Sequence, residues 1–127
     1  PGTVYIAPGG THHMTLHGGL RGRIRLIESD PVGGHRPAVD MLFRSVVNSG
    51  APAVGAIMTG MGADGAQGLL EMRQSGAETF GQSRDSCVVW GMPRAAMELG
   101  AVGKEISLSG MAGAILSACR GKQRRER

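Results

Sequence analysis

Apolar residues along the chain follow patterns that predict five strands. Two continuous apolar runs, 3–7 and 53–58, are typical of strands buried in a sheet, and the second is expected to be central and covered on both faces. Residues 23–29 alternate apolar and polar side chains, which predicts a half-exposed strand. Two shorter segments, 77–82 and 105–108, complete the predicted set.

Four other segments carry apolar residues at helical spacing. Proline stands at the start of the first and third, and glycine stands at the end of the first three. Ser109 is the predicted cap of the last. These predicted helices are 37–50, 66–76, 93–100 and 110–119. Residues 86–91 suit a helical turn or a strand by periodicity, and we predict a helical turn because Met92 and Pro93 follow so closely.

The predicted helices and strands alternate through the middle of the chain. That order indicates an α/β fold with a mainly parallel, doubly wound sheet and helices on both faces, as in Rossmann-like domains. Ligands in such folds bind beyond the carboxyl ends of the strands. The glycine-rich segment 57–68, IMTGMGADGAQG, overlaps the end of the predicted central strand and brings Asp64 to that place.

Length and composition limit the chain to one domain without a stacking surface for nucleobases. The 127 residues can build one core, to which aromatic residues contribute little because they make up 3% of the chain. Five basic residues and one acid in 120–127 account for the whole formal charge of +4. We therefore predict a folded part at 1–119, a basic and disordered tail at 120–127, and no nucleic-acid binding by the folded part.

The expected cellular setting follows from what the sequence lacks. No apolar run is long enough to span a bilayer, and the first residues do not form a signal peptide. Cys87 and Cys119 have no spaced partners, so a disulfide framework is not expected. We predict a cytoplasmic protein with no membrane insertion.

The glycine loop admits two interpretations of its chemistry. Gly60, Gly62 and Gly65 fit the dinucleotide fingerprint G-x-G-x-x-G. Asp64, however, would put negative charge where a phosphate should bind, and the next strand ends in Gln82 where the fingerprint expects an acid. The better interpretation is a loop that holds a carboxylate. That carboxylate can be a plain cap of the following helix, which the local pattern slightly favours, or it can orient a catalytic histidine.

Longer segments of the sequence carry a family resemblance. They read VYIAPGG, GHRPAVDMLFRSV, GAIMTGMGADGAQGLLEMRQSGAETFGQ and SCVVWGMPRAAMELGAV, and the likeness runs over residues 4–108. Together they resemble the C-terminal part of the catalytic domain of chemotaxis protein-glutamate methylesterases (CheB-type). The combination of TGMGxDG with a downstream GMPR is the most specific part of this likeness.

The resemblance implies a serine-type ester hydrolase with neither a cofactor nor a metal. Such enzymes hydrolyse glutamate γ-methyl esters on chemoreceptors and deamidate certain receptor glutamines, so methylated cytoplasmic domains of chemoreceptors are the implied partners. The aspartate of the GMGxDG motif is the acidic member of the family's Ser-His-Asp triad, and this role carries over to Asp64. Met61 of the same motif and His35 of the HRPxVD segment are implied to lie beside the active centre.

Two motifs of the family do not occur in the sequence. The family's nucleophile lies in a segment similar to GASTGG and its base in one similar to QHMP, and both precede the YIAP strand. We therefore expect a domain portion that is inactive alone and that associates with the N-terminal part of the same domain or with itself. The alternative is a natural, non-catalytic half-domain that binds a partner chain.

Three histidines near the start of the chain raise the question of a metal site. Neighbouring residues of a strand point to opposite faces, so His12 and His13 could not easily share an ion. No clustered acid or thiol completes a ligand set with His17. We predict that these are surface or loop histidines and that the chain holds no metal.

The cysteine and serines near residue 85 suggest no second catalytic site. Cys87 precedes an apolar stretch and is predicted to be a buried, unreactive thiol, since no nearby residue would lower its pKa. Ser83 and Ser86 lack the sharp strand-to-helix turn that exposes a nucleophilic serine. A substitute nucleophile is therefore not expected in this region.

Overall fold

The computed structural model describes residues 2–126, apart from the side chains of residues 20 and 122–126. Within that range the elements are β1 (His12–His17), β2 (Arg23–Glu28), α1 (Val39–Ser49), β3 (Val54–Ile57), α2 (Ala66–Gln74), β4 (Glu78–Gln82), α3 (Met92–Glu98), β5 (Lys104–Ile106) and α4 (Leu108–Glu126). Two short 3-10 turns, Gly19–Arg21 and Arg84–Ser86, lie between them.

The main sheet is parallel and has the strand order β3-β4-β5. Helices cover both of its faces, and each face has its own core. Ile57 packs with buried residues of α2 and α3, including Leu69, on one face. Phe80 packs with Met111 of α4 on the other. The predicted α/β fold, with a mainly parallel sheet between two layers of helices, is confirmed.

A separate antiparallel hairpin, β1–β2, precedes this sheet. The strand β2 is confirmed, whereas β1 was not predicted, because its polar HHMTLH sequence becomes a strand only through pairing with β2. The hairpin lies against α1: the backbone N–H of Leu16 donates to Ser45 Oγ at 2.8 Å. This contact connects the hairpin to the helix that precedes the main sheet.

The prediction of a buried strand at residues 3–7 is wrong for this structure. No strand is formed there, and the side chains of Val4 and Ile6 are 89% and 87% exposed. A strand needs a neighbour that completes its main-chain hydrogen bonds, and no described strand pairs with this segment. For the same reason β3 is not central, since among the described strands it pairs with β4 alone.

Residues 86–91 do not form the predicted helical turn beyond Ser86. The 3-10 turn Arg84–Ser86 ends there, and Trp90 forms a parallel bridge with Gly60. Periodicity could not separate the two possibilities, and the neighbouring loop selects an extended path.

The last helix begins one residue before the predicted cap. Its first residue, Leu108, donates its N–H to Ser86 Oγ at 3.1 Å, so Ser109 lies inside the first turn. The helix continues through Glu126, which gives residues 120–126 a helical backbone, and Arg127 lies outside the described residues. The disorder predicted for 120–127 stays a prediction. No helix in the described part of the chain is long and apolar enough to cross a membrane.

Candidate active site

Asp64 lies in the loop after β3, at the carboxyl end of the parallel sheet, and both of its carboxylate oxygens are bound. The N–H of Val39 donates to Oδ2 at 2.9 Å, and the N–H of Asp40 donates to Oδ1 at 3.1 Å. These are the first two N–H groups of α1. Asp64 therefore caps α1 and not the helix that follows it in sequence, which corrects the local prediction. Its carboxylate therefore lies at the N-terminal, positive end of the α1 dipole.

A reciprocal contact runs from α1 to α2, and it is made by the side chain of Asp40 in the first turn of α1. Its Oδ1 accepts the N–H of Gly68, in the first turn of α2, at 2.8 Å. Neither helix has a side-chain cap of its own, because Ala38 and Gly65 occupy the two N-cap positions. Each helix is thus capped by an aspartate from the start of the other, and we call this arrangement the swapped caps.

Two glycines of the loop are explained by the close approach of α1. A Cβ on Gly65 would lie 2.8 Å from Val39 Cγ1, and one on Gly68 would lie 2.8 Å from Phe43 Cβ. Gly65 also has a φ angle of +93°, which residues with a side chain rarely adopt. The glycine spacing therefore serves helix packing. The carboxylate of Asp40 already takes an N–H at the start of α2, where a dinucleotide phosphate would bind, which further weakens that interpretation.

His13 is a structural histidine and not the predicted surface or loop residue. It lies on β1 with 0% exposure. Its Nδ1 accepts the N–H of Ala38 at 3.0 Å, and its Nε2 donates to the carbonyl of Asp30 at 2.9 Å. These partners select the Nε2–H tautomer. Both ring nitrogens are occupied, so His13 is not available as a general base.

His13 and Asp64 together satisfy three consecutive backbone N–H groups, those of residues 38, 39 and 40. The first N–H groups of a helix have no partner within the helix and need one from outside. Here the start of α1 is therefore fixed from two directions, by the hairpin and by the glycine loop. This also fixes Asp64 relative to the hairpin.

A second loop, residues 87–92, supports the glycine loop. The N–H of Gly60 donates to the carbonyl of Val89 at 3.0 Å, and the N–H of Met92 donates to the carbonyl of Gly60 at 2.8 Å. Thr59 Oγ1 accepts the N–H of Val89 at 2.9 Å. A Cβ on Gly91 would lie 2.7 Å from the oxygen of Gly60, so the glycine of the GMPR segment permits this contact. The periodicity of residues 86–91, which suited a helical turn, gave no sign of this support.

Of the other two predicted site residues, one lies in the same loop as Asp64 and the other lies in the loop before α1. Met61 lies in the same loop and is 81% exposed. His35 is exposed in the loop before α1, where its backbone pairs with Val32. Among the described residues no hydrogen bond joins the His35 side chain to Asp64.

The polar side chains near residue 85 have structural partners. Ser86 Oγ donates to the carbonyl of Ser83 at 3.1 Å and accepts the N–H of Leu108. Burial raises the pKa of the Cys87 thiol, and a hydrogen bond with Thr59 opposes this only in part. A raised pKa means less thiolate at neutral pH, which suits an unreactive thiol. Across the described residues, no group of three or more His, Cys, Asp or Glu side chains could hold a metal ion.

The fold and the site define a Rossmann-like α/β structure that holds a carboxylate at the carboxyl ends of its strands. The profile of the CheB methylesterase family matches residues 1–115. The chain belongs to this family, which confirms the resemblance found in its motifs.

Named relatives and a solved structure agree with this assignment. The chain is 57% identical over 117 residues to protein-glutamate methylesterase/protein-glutamine glutaminase 1 of Caulobacter vibrioides, a match that covers 91% of this chain and 34% of that protein. It is 53% identical over 123 residues to the similarly named Gluconobacter oxydans protein, with 94% and 35% covered. The chain thus spans about a third of the length of these relatives.

The solved structure is the CheB methylesterase catalytic domain of Thermotoga maritima. It aligns with a TM-score of 0.84 and 29% identity, over 92% of this chain and 62% of that one. The likeness in fold therefore extends over nearly all of this chain but leaves more than a third of the Thermotoga chain without a counterpart.

Proposed function

We propose that this chain supplies the acidic residue of a protein-glutamate methylesterase and protein-glutamine glutaminase, and that Asp64 is that residue. The observation that carries the proposal is the binding of both Asp64 oxygens by the first N–H groups of α1. Such a carboxylate is fixed in direction, as a residue that orients a histidine must be. The names of the relatives supply the reaction class.

In the complete centre a serine hydroxyl would attack the γ-carbonyl of the esterified glutamate while a histidine accepts its proton. Each Asp64 oxygen accepts one backbone N–H and keeps a lone pair, so it can accept a further bond from the histidine N–H and stabilise the imidazolium. The imidazolium then gives its proton to the methoxy oxygen as the C–O bond breaks and methanol leaves, or to the amide nitrogen as the C–N bond breaks and ammonia leaves when the substrate is a glutamine. Water hydrolyses the acyl-enzyme and restores the serine, while backbone N–H groups stabilise the oxyanion.

The serine and the histidine are proposed to come from the N-terminal part of the same domain. Two features of this chain suit such a partner: the exposed apolar side chains of residues 3–7 and the edge of β3 that no described strand pairs with. Both can be covered by further strands. Without that part, self-association through the same surfaces is the expected outcome.

Met61 and His35 are proposed to lie beside the substrate. Met61 extends from the loop that holds Asp64, and its exposure leaves it free to contact the substrate near the ester. His35 precedes the helix whose first N–H groups bind Asp64. The proposed substrates are methylated cytoplasmic domains of chemoreceptors, and a cytoplasmic location is part of the same proposal.

A second candidate is a non-catalytic half-domain that binds a partner chain. The observation in its favour is the exposure of Val4 and Ile6, which gives a binding surface without any need for catalysis. The two candidates differ in whether Asp64 matters for turnover once the missing part is supplied.

Methanol release from methylated receptor tests the proposal. We expect no release by the chain alone, because an aspartate without its serine and histidine is not a nucleophile for this ester. Joined to the preceding segment of the Caulobacter relative, the chain should become active, and Asp64→Asn should lower its turnover on the order of a thousandfold or more. Asp85→Asn, at an exposed acid of the 3-10 turn, is the matched control and should keep turnover.

The outcome is decisive in either direction. Turnover by the chain alone that Asp64→Asn abolishes would mean a substitute nucleophile in this chain. Near-normal turnover of the completed Asp64→Asn domain would reduce Asp64 to a helix cap and favour the half-domain. Thermal unfolding of each variant checks that the fold is kept, since asparagine can replace only one of the two carboxylate oxygens as an acceptor.

A further inference from the structure

We infer that Asp40 is a positioning residue for Asp64, and that the swapped caps hold the Asp64 carboxylate in direction. The inference about catalysis rests on the proposed function, whereas the inference about position does not. Asp40 contacts the glycine loop twice: its N–H donates to Asp64 Oδ1, and its own Oδ1 accepts the N–H of Gly68. Both ends of residues 64–68 are thus bound to one residue of α1.

The backbone of the loop itself restrains Asp64 through one turn bond, from the N–H of Ala66 to the carbonyl of Ala63 at 3.2 Å. Gly62 and Gly65 flank Asp64, and both have φ +93°. Glycine loses more conformational freedom on ordering than any other residue, so a segment between two glycines needs contacts from outside to keep one conformation. The bonds to α1 are such contacts, and they come from residues 24 to 28 positions away in the sequence.

Removal of the Asp40 carboxylate would break this arrangement on one side. The N–H of Gly68 would lose its partner, and the start of α2 could move away from α1. Because Asp64 precedes α2 by two residues, its carboxylate would then turn relative to the N–H groups of α1. The backbone N–H of Asp40 remains in any variant, so the loss acts on Asp64 only through the loop.

The chain contains a matched control for the contact between the two helices. Arg44 of α1 and Glu71 of α2 form an ion pair at 2.9 Å. It joins the same helices as the swapped caps but does not involve the glycine loop. Glu71→Ala therefore removes a link between α1 and α2 without touching Asp64 or Gly68.

Amide hydrogen exchange of the chain, followed by NMR, tests the positional part. Asp40→Ala should accelerate exchange of the Val39 amide by about tenfold or more, although Asp40 itself makes no bond to that amide. Asp40→Asn should preserve protection, because its amide oxygen can still accept from Gly68. Glu71→Ala should leave the exchange rate of the Val39 amide unchanged. If Asp40→Ala does not fold, Asp40→Glu takes its place. That variant displaces the carboxylate by one methylene and should still accelerate exchange of the Val39 amide. Unchanged Val39 exchange in the folded variant overturns the inference.

A double-mutant cycle in the completed domain tests the catalytic part. Asp40→Ala should lower kcat by about tenfold and leave KM nearly unchanged, because the loss is one of orientation. In the Asp64→Asn background, Asp40→Ala should lower kcat no further. An equal loss in both backgrounds, or a loss confined to KM, overturns the positioning role. If the completed domain releases no methanol at all, the proposed function fails, and the exchange experiment still decides whether Asp40 positions Asp64.

Discussion

Residues 3–7 and residues 53–58 are the two continuous apolar runs of the chain, and they lie in opposite surroundings. The second run forms β3, with Ile57 only 2% exposed. It pairs in register with β4 and packs against helices on both faces. The first run forms no strand, and its largest apolar side chains face solvent.

The difference lies in the neighbours and not in the runs themselves. An apolar run shows that a segment can be buried, but its main-chain groups must also find partners before it becomes a strand. β3 has β4 beside it, placed there by α2, whereas no described strand lies in pairing position to residues 3–7. An apolar run therefore predicts which surfaces need covering, and the tertiary structure decides whether they are covered.

The same substitution in both runs gives the largest expected contrast. Ile57→Ala should lower the free energy of unfolding by about 2–5 kcal/mol, because it leaves a cavity in a packed core. Ile6→Ala, measured at a concentration where the chain is monomeric, should change it by no more than about 0.5 kcal/mol, because the side chain is then in solvent. Urea unfolding followed through the fluorescence of Trp90, the single tryptophan, measures both. A similar cost at the two positions would mean that residues 3–7 are packed in solution.

A second prediction concerns the joint between the hairpin and the main sheet. His13→Leu should lower the free energy of unfolding by about 3 kcal/mol, since it leaves the Ala38 N–H and the Asp30 carbonyl without partners. His12→Leu, at the neighbouring position whose ring bonds to the exposed hydroxyl of Thr11, is the control and should cost less than about 1 kcal/mol. Equal costs would show that the His13 hydrogen bonds do not fix the start of α1.

A third prediction addresses the open surface directly. The chain alone should self-associate at micromolar concentration, because its exposed apolar run and the edge of β3 are left uncovered. Sedimentation should show a shift to monomer in the double variant Val4→Lys and Ile6→Lys. Leu116→Lys, at an exposed leucine of α4, should leave the association unchanged. A compact monomer of the unmodified chain would contradict this prediction.

The smallest expected effect is in thiol chemistry, where the same contrast between covered and open positions recurs. Cys119 is exposed on α4, whereas burial raises the pKa of the half-buried Cys87. At pH 8 a thiol with a raised pKa holds less thiolate, so Cys87 should react with iodoacetamide several-fold more slowly than Cys119. Mass spectrometry of the alkylated chain gives the order. Earlier labelling of Cys87 would show that its loop opens.

Much of the fold was predictable because local patterns specify local structure. The helix capped at its C-terminus by Gly50 and the helix with Pro93 in its first turn were found from their apolar spacing and their end residues. The strand β1 was missed, because its polar residues form a strand only when β2 pairs with it. The path of residues 86–91 was also missed, since its hydrogen bonds are made to a loop about 30 residues earlier.

The sequence by itself determined which loop is the proposed place of the chemistry. Asp64 follows a buried strand and precedes a helix within a motif specific to one family, and these are properties of neighbouring residues. Only the tertiary structure decided what Asp64 binds. Its partners are the N–H groups of Val39 and Asp40, 25 and 24 residues earlier in the chain. A helix start needs outside partners but does not specify them, so their identity depends on which segments the folded chain brings together.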